Sequence, residues 1–322
     1  MAHALITGGA GFIGSHLAEA LLAQGHTVTL FDNLSTGRRE NIAPLLGSHA
    51  RLVVEDVRNA PVLDRWVSEC DVVFHLAAMV GVQRILEQPV GTIKVNIGGT
   101  EAVLDAANRY QKKVLIASTS EVYGKGVSFP FNEDDDTLSG PTLRSRWGYA
   151  ATKAIDEFLG FAYHQEFGLP VVVFRLFNTI GPRQQGQYGM VVPRFVQWAL
   201  KGEPIQVYGD GQQQRCFCNV KDVVQGIIAL WQSPNTVGQL FNIGSQEEVS
   251  ILQLAERIKA RTGSTSEIRL IPYNEAYGDG FEDFRRRVPG ISKTQQAVEW
   301  EASTPLDTTL DQMIDYYQQR GN

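Results

Sequence analysis

Residues 7–14 read Thr-Gly-Gly-Ala-Gly-Phe-Ile-Gly, and no other stretch of this 322-residue chain restricts its fold as strongly. They follow a short apolar run, Ala4 to Thr7, and precede an amphipathic segment at 13–24, so they occupy a strand-to-helix turn. In such a turn Gly8 permits the tight bend and Gly11 lets backbone N–H groups approach a pyrophosphate. Gly14 lets the helix pack on the sheet, and Phe12 and Ile13 complete the loop. The next apolar run ends in Phe31-Asp32-Asn33, about 20 residues on, which places a carboxylate where an adenosine ribose diol would lie. Asp32 repels a 2′-phosphate, so the pattern favours NAD over NADP; Arg38 and Arg39 argue the other way.

The rest of the first half repeats this rhythm. Apolar runs at Thr27 to Asp32, Arg51 to Glu55, Val72 to Leu76, Lys113 to Ser118 and Val171 to Leu176 alternate with helical patterns near 13–24, 60–69, 93–109 and 148–167. That alternation predicts βαβ units and a Rossmann-like α/β fold, a doubly wound parallel sheet. Asp56-Val57 after the third run is expected to border the adenine, and Leu76-Ala77-Ala78 after the fourth is small enough for a cofactor to pass. Beyond residue 180 the rhythm loosens. A Gln- and Gly-rich stretch at 183–190 leads to a helix near 191–201. The segments PIQVYG, QLFNIG and EIRLIP then read as short strands among helices near 220–232, 250–262 and 305–319. The expected organisation is a dinucleotide domain over 1–180, with possible return of later segments to the sheet, and a smaller mixed α/β substrate lobe over 181–322.

Composition limits the function classes. Hydrophobic residues are 43% and charged residues 20%, which supports a packed core rather than disorder. A formal charge of -6 argues against nucleic acid or an anionic membrane as partner. The apolar start breaks at glycines before reaching spanning length, so a cytoplasmic protein is expected. Cys70, Cys216 and Cys218 do not form a disulfide framework pattern and are expected to be small buried side chains. His3, His16, His26, His49, His75 and His164 show no metal-ligand spacing, so no metal is expected; His75, within a strand, reads as a core or cofactor-border residue.

Tyr149 and Lys153 stand four apart on a helical pattern and therefore share a face. A phenol ionises near pH 10, and lowering that by roughly three units requires about 4 kcal/mol, which an ammonium and an oxidised nicotinamide can supply together. Ser118, Thr119 and Ser120 stand at a preceding strand end. The glycine loop together with Tyr149-x-x-x-Lys153 resembles the extended short-chain dehydrogenase/reductase family of nucleotide-sugar epimerases, dehydratases and decarboxylases. The likeness extends to residues 118–124 (STSEVYG), 175–183 (RLFNTIGPR) and 215–217 (RCF).

The resemblance implies that Tyr149 takes the proton of the sugar 4-hydroxyl while hydride leaves C4 for NAD. Lys153 would hold the nicotinamide ribose and lower the phenol pKa, and Thr119 or Ser120 would hydrogen-bond near O4. It also implies Asn96 at the cofactor, Val192 and Tyr208 in the substrate site, and Asn178 and Arg215 on the substrate's diphosphate and nucleoside. Arg287 opens an Arg-Val-Pro-Gly-Ile segment similar to the family's C-terminal substrate motif, whereas Arg285 and Arg286 read as surface charges. A homodimer through a four-helix bundle, built partly from the helices near 93–109 and 148–167, is implied as well.

Glu121 separates the reactions. Thr119-Ser120-Glu121 resembles UDP-glucuronate decarboxylases and also GDP-mannose 4,6-dehydratases, while Ser120 stands where dTDP-glucose 4,6-dehydratases carry an Asp. The sequence expectation is a UDP-glucuronate decarboxylase acting through a 4-keto sugar, with Glu121 placing the ring or managing proton transfer and Arg287 orienting the carboxylate. A UDP-sugar 4-epimerase is the alternative, ahead of a dehydratase or a non-enzymatic NAD sensor.

Overall fold

The structure, a computed structural model, describes residues 1–187, 189–277 and 284–321, so Tyr188 of the Gln- and Gly-rich stretch lies outside the described residues. Its centre is a seven-stranded parallel sheet in the spatial order Gln239–Ile243, Val171–Leu176, Lys113–Thr119, Val72–His75, His3–Thr7, Thr27–Phe31, Ala50–Val53. Successive side chains alternate between its faces. Ala4 and Ile6 pack with Leu17, Leu21, Val224 and Ile227 on one side, and Leu5 packs with Leu63, Val103 and Ile116 on the other. Helices cover both faces, which is why the strands are apolar almost throughout.

The long helix Gly148–Phe167, which carries Tyr149 and Lys153, stops at Gly168, whose φ of 70° suits a glycine closing a helix. It packs against the helix Pro89–Arg109, which starts four residues earlier than the sequence pattern suggested.

QLFNIG reads as a short strand beyond residue 180, with return of later segments to the sheet left open; Gln239–Ile243 makes that return, running parallel to Val171–Leu176 as the edge of the main sheet. Leu240, Phe241 and Ile243 are apolar enough to face helices, and the preceding helix Val220–Gln232 is the crossover that returns the chain. The second lobe packs the helices Val191–Lys201, Ile251–Thr262 and Leu306–Gly321 around Val192, Phe195, Val207, Leu254 and Met313. Its strand Gln214–Cys216 lies between Glu248–Ser250 and Arg286–Arg287. All three cysteines are free and buried.

Strand order reverses at His3–Thr7, whose neighbours are Thr27–Phe31 on one side and Val72–His75 on the other. A crevice forms at such a switch point, beyond the carboxyl ends of the strands. The candidate site lies there, between the sheet and the second lobe.

Candidate active site

The crevice is a cleft of about 750 Å³ that runs from the glycine loop to Arg287. At its first end the wall is main chain. A Cβ on Gly14 would lie 2.3 Å from the Gly8 carbonyl oxygen, and one on Gly8 (φ 71°) would lie 2.9 Å from the Ala77 amide. The loop and helix therefore close up only because these residues are glycines. The helix Phe12–Ala23 opens at Gly11 with no capping side chain and no acidic residue in its first turn, which leaves the positive end of its dipole for an anion.

Asp32 closes this end. Its buried carboxylate accepts from the amides of Ala10 (3.0 Å) and Leu34 (2.8 Å), and burial raises its pKa above the usual carboxylate value. Gly37 is pressed against it, since a Cβ there would lie 2.7 Å from the carboxylate oxygens. Gly8, Gly11, Phe12, Ile13, Gly14, Asp32, Asn33, Asp56, Val57, Leu76, Ala77 and Ala78 all line the cleft. The glycine cradle, the uncapped helix start and the ordered carboxylate fit a dinucleotide. Asp56 differs from its expected part in one respect: its carboxylate is already held by Arg58 (2.8 Å to each oxygen) and Asn33 (3.2 Å), and the Arg58 bond holds its pKa down at about 2. Asn96 does not line the cleft. It lies behind the wall, accepting from the Met79 amide (2.8 Å) and donating to Thr152 (3.1 Å), so it braces the loop after Val72–His75 against the Tyr149 helix.

Tyr149, Lys153, Thr119, Ser120 and Glu121 meet in the middle of the cleft. The turn Ser120–Tyr123 places Glu121 after the strand Lys113–Thr119, and Thr119 caps the turn by accepting from the Glu121 amide (3.3 Å). Burial raises the pKa of the Tyr149 phenol, the charge of Glu121 adds to that, and a hydrogen bond from Thr119 opposes it. Lys153 Nζ donates to Asp156 Oδ2 at 2.6 Å. The expected lowering rests on Lys153 and an oxidised nicotinamide together; in the protein alone burial is the largest influence on the phenol.

A guanidinium pair completes the centre. Arg146 Nη1 donates to Glu121 Oε2 at 2.5 Å, and Arg287, only 6% exposed, lies 4.0 Å from Glu121 Oε1 and 3.5 Å from Ser120 Oγ. The Phe284 ring lies under both guanidinium groups, at 5.2 Å from Arg146 and 4.2 Å from Arg287. Sequence reasoning missed Arg146 and Phe284. Arg146 was legible as the residue one turn before Tyr149, whereas nothing local marks Phe284. Arg285 and Arg286 are exposed and paired with Asp210 and Glu248, as surface charges would be.

Toward the second lobe, strand pairing sets Arg287 in register with Arg215, so the two arginines enter the cleft side by side. Asn178 donates to the Cys216 carbonyl (2.9 Å), and Val192 and Tyr208 line the far wall. Arg194, also missed, lies over the rings of Trp198 and Tyr208 and donates to the Tyr208 hydroxyl.

Comparison with known proteins agrees with this geometry. The model of the NAD dependent epimerase/dehydratase family matches residues 4–244. The UDP-N-acetyl-alpha-D-glucosaminuronate decarboxylase of Bacillus cytotoxicus is 41% identical, over 99% of this chain and 98% of its own length. UDP-glucuronic acid decarboxylase 1 of Danio rerio is 37% identical over 97% of this chain and 72% of its own. Among solved structures, the UDP-glucuronic acid 4-epimerase of Bacillus cereus, in complex with UDP-glucuronic acid and NAD, superposes with a TM-score of 0.89 at 30% identity, covering 99% of both chains.

Proposed function

Because the chain belongs to the NAD dependent epimerase/dehydratase family, we propose that it decarboxylates a UDP-linked hexuronate, UDP-glucuronate or its 2-acetamido counterpart, through oxidation at C4. The observation that carries this reading is the placement of Arg287: a buried guanidinium from the second lobe, set with Arg146 about Glu121 on the wall that holds Tyr149. Guanidinium forks match carboxylates, and a neutral sugar brings no carboxylate to such a place. The decarboxylase names of the Bacillus and Danio relatives support it.

When bound, oxidised NAD supplies a hydride acceptor and a positive charge, and Gly8, Gly11, Gly14 and Asp32 would hold it. Tyr149 takes the O4 proton as C4 becomes a ketone, with the hydroxyls of Thr119 and Ser120 available to the same oxygen. The C6 carboxylate is then that of a β-keto acid. The C5–C6 bond breaks, carbon dioxide leaves, and the electron pair passes to the enolate oxygen at C4. C5 takes a proton from water, and Tyr149 returns its own proton to O4 as C4 is reduced. Arg287 and Arg146 orient the departing carboxylate, and Glu121 orders both guanidiniums. Asn178 and Arg215 hold the diphosphate and nucleoside. In this division of labour residues 1–180 hold the cofactor and the central catalytic groups, and 181–322 supply Arg215 and Arg287 to the substrate while Gln239–Ile243 returns to the sheet.

The reading includes a homodimer. The helices Pro89–Arg109 and Gly148–Phe167 pack together and expose Val90, Ile93, Ile155, Phe158 and Phe167, an apolar surface of the kind a partner covers. It also takes the protein to be cytoplasmic, a reading that its free buried cysteines support because they suit a reducing compartment. The direct test is to offer UDP-glucuronate and UDP-N-acetylglucosaminuronate to protein carrying NAD and trap the carbon dioxide. Release from either supports the reading. No release from NAD-loaded protein overturns it.

A further inference from the structure

Lys153 is 2% exposed, and the carboxylate it contacts, Asp156, is 0% exposed. Asp156 does not line the cleft, and no step above uses it. A carboxylate buried so completely is unfavourable unless it is paired and hydrogen-bonded, so its surroundings bear on why it is there. Lys153 takes Asp156 Oδ2, Oδ1 has no hydrogen-bond partner, and the nearby Thr100 hydroxyl favours the ionised carboxylate, against the burial that raises its pKa. Thr100 Oγ1 lies 3.0 Å from His75 Nε2. His75 Nδ1 lies 2.8 Å from Thr7 Oγ1, which accepts from the Ala77 amide at 3.2 Å.

The chemistry of these groups gives the chain of bonds one direction. An ionised carboxylate only accepts, so the Thr100 hydroxyl turns its proton toward Asp156. His75 then donates from Nε2 to Thr100, and Thr7 donates to His75 Nδ1. That requires a neutral imidazole, and burial holds the His75 pKa down at about 3. Thr7 immediately precedes Gly8, and Ala77 lines the cleft. Buried polar groups, hydrogen-bonded from Ala77 to Thr100 and followed by the Asp156–Lys153 pair, therefore extend from the cofactor wall to the Lys153 ammonium.

We propose that Asp156 is a positioning residue for the reaction, the end of a Thr7–His75–Thr100 series that supplies the counter-charge for the buried Lys153 ammonium and holds it one helical turn from Tyr149. The proposal rests on the reading of Tyr149 and Lys153 as the working pair. Among the described residues, Asp156 faces Lys153 and Glu157 on its own helix and Thr100 on Pro89–Arg109, while His75 on Val72–His75 lies within the field of Lys153. Glu157 is itself paired with Arg175 (2.7 Å) on Val171–Leu176 and bonded by Ser118 on Lys113–Thr119. Beyond Tyr149 stand Glu121 and Arg146. The charges of Asp156 and Glu121 oppose ionisation of the phenol, and that of Arg146 favours it.

Asp156→Asn keeps the shape and removes the charge. One charge opposing the phenolate disappears, and an ammonium left without its anion gives up its proton more readily. Both changes act in the same sense. Measured on NAD-loaded protein with the uronate that it decarboxylates, both limbs of the profile of kcat against pH should move to lower pH by about one unit, with KM unchanged. Thr100→Val, which retains the charge but removes the hydroxyl beside it, should move the profile the same way by less, and Thr100→Ser should restore it. Activity lost equally at every pH in Asp156→Asn means a structural role only and overturns the proposal; where that variant does not fold, an unmoved profile in Thr100→Val does so. Tyr149→Phe, measured alongside, separates the two readings. If it stays active, the catalytic pair itself is wrong; if it is inactive while the Asp156→Asn profile stays in place, only this inference fails.

Discussion

At the glycine-loop end of the cleft the wall is main chain drawn from neighbouring residues: Gly8, Gly11 and Gly14, with Ala77 pressed against the first. At the Arg287 end the wall is charged side chains from three distant places, Glu121 after one strand, Arg146 before the Tyr149 helix and Arg287 from the second lobe. The first end tolerates little beyond glycine in its loop and uses one ordered side chain, Asp32. The second can change its chemistry with one substitution. Relatives named as decarboxylases and a neighbour named as a 4-epimerase can therefore share one fold and one cofactor end.

The largest effect should come where the two ends meet. Tyr149→Phe should lower kcat by about 10²–10⁴-fold, the range for loss of a general acid–base group, while bound NAD measured after denaturation stays stoichiometric. Loss of NAD in this variant would show that the phenol belongs to the cofactor end. Arg287→Met should lower kcat for the uronate by about 10²–10³-fold with NAD retained, as expected when an aligned charge is removed. A full rate in this variant would remove the carboxylate from the second end.

Gly14→Ala should produce the reverse pattern. Its Cβ would clash with the Gly8 carbonyl, and overpacking of about 1–3 kcal/mol should appear as weaker NAD binding in titration calorimetry, with turnover restored at saturating NAD. The smallest effect concerns the seam between sheet and second lobe. His16, buried against the Pro182 carbonyl, has its pKa lowered from 6.5 to about 4 by burial. Between those values the unfolded chain binds a proton that the native protein does not, so stability falls as pH falls through that window. His16→Gln should flatten this slope in thermal unfolding followed at several pH values.

The two ends were unequally legible in the sequence. The glycine loop and Asp32 are close along the chain, one acting through backbone and the other through a carboxylate at a fixed distance, so spacing located them. The strands read well because burial on both faces leaves continuous apolar runs, yet that same property hid the destination of Gln239–Ile243. An apolar run does not say which sheet it joins. Glu121 and Arg287 were named separately, but their approach to 4.0 Å depends on the second lobe folding over the sheet. Phe284 escaped because an isolated phenylalanine carries no spacing signal, whereas Arg146 carried one, its place one turn before Tyr149, that went unused. Asn96 was assigned to the cofactor, whereas its amide braces Met79 and Thr152 behind the wall. The Tyr149–Lys153 spacing was plain, but the carboxylate that claims the ammonium lies three residues further along the same helix and looked like an ordinary helical Asp.

The account turns on what the Arg287 end does to a uronate, and one paired measurement tests it most directly. Wild-type protein and Arg287→Met, both loaded with NAD, are incubated with UDP-glucuronate and UDP-N-acetylglucosaminuronate, and the products are followed by mass spectrometry with chromatography. The account predicts that the wild type yields a nucleotide sugar lighter by one carbon dioxide and that Arg287→Met yields almost none. A wild-type product of unchanged mass eluting as a new isobaric peak would contradict it and make the protein a 4-epimerase.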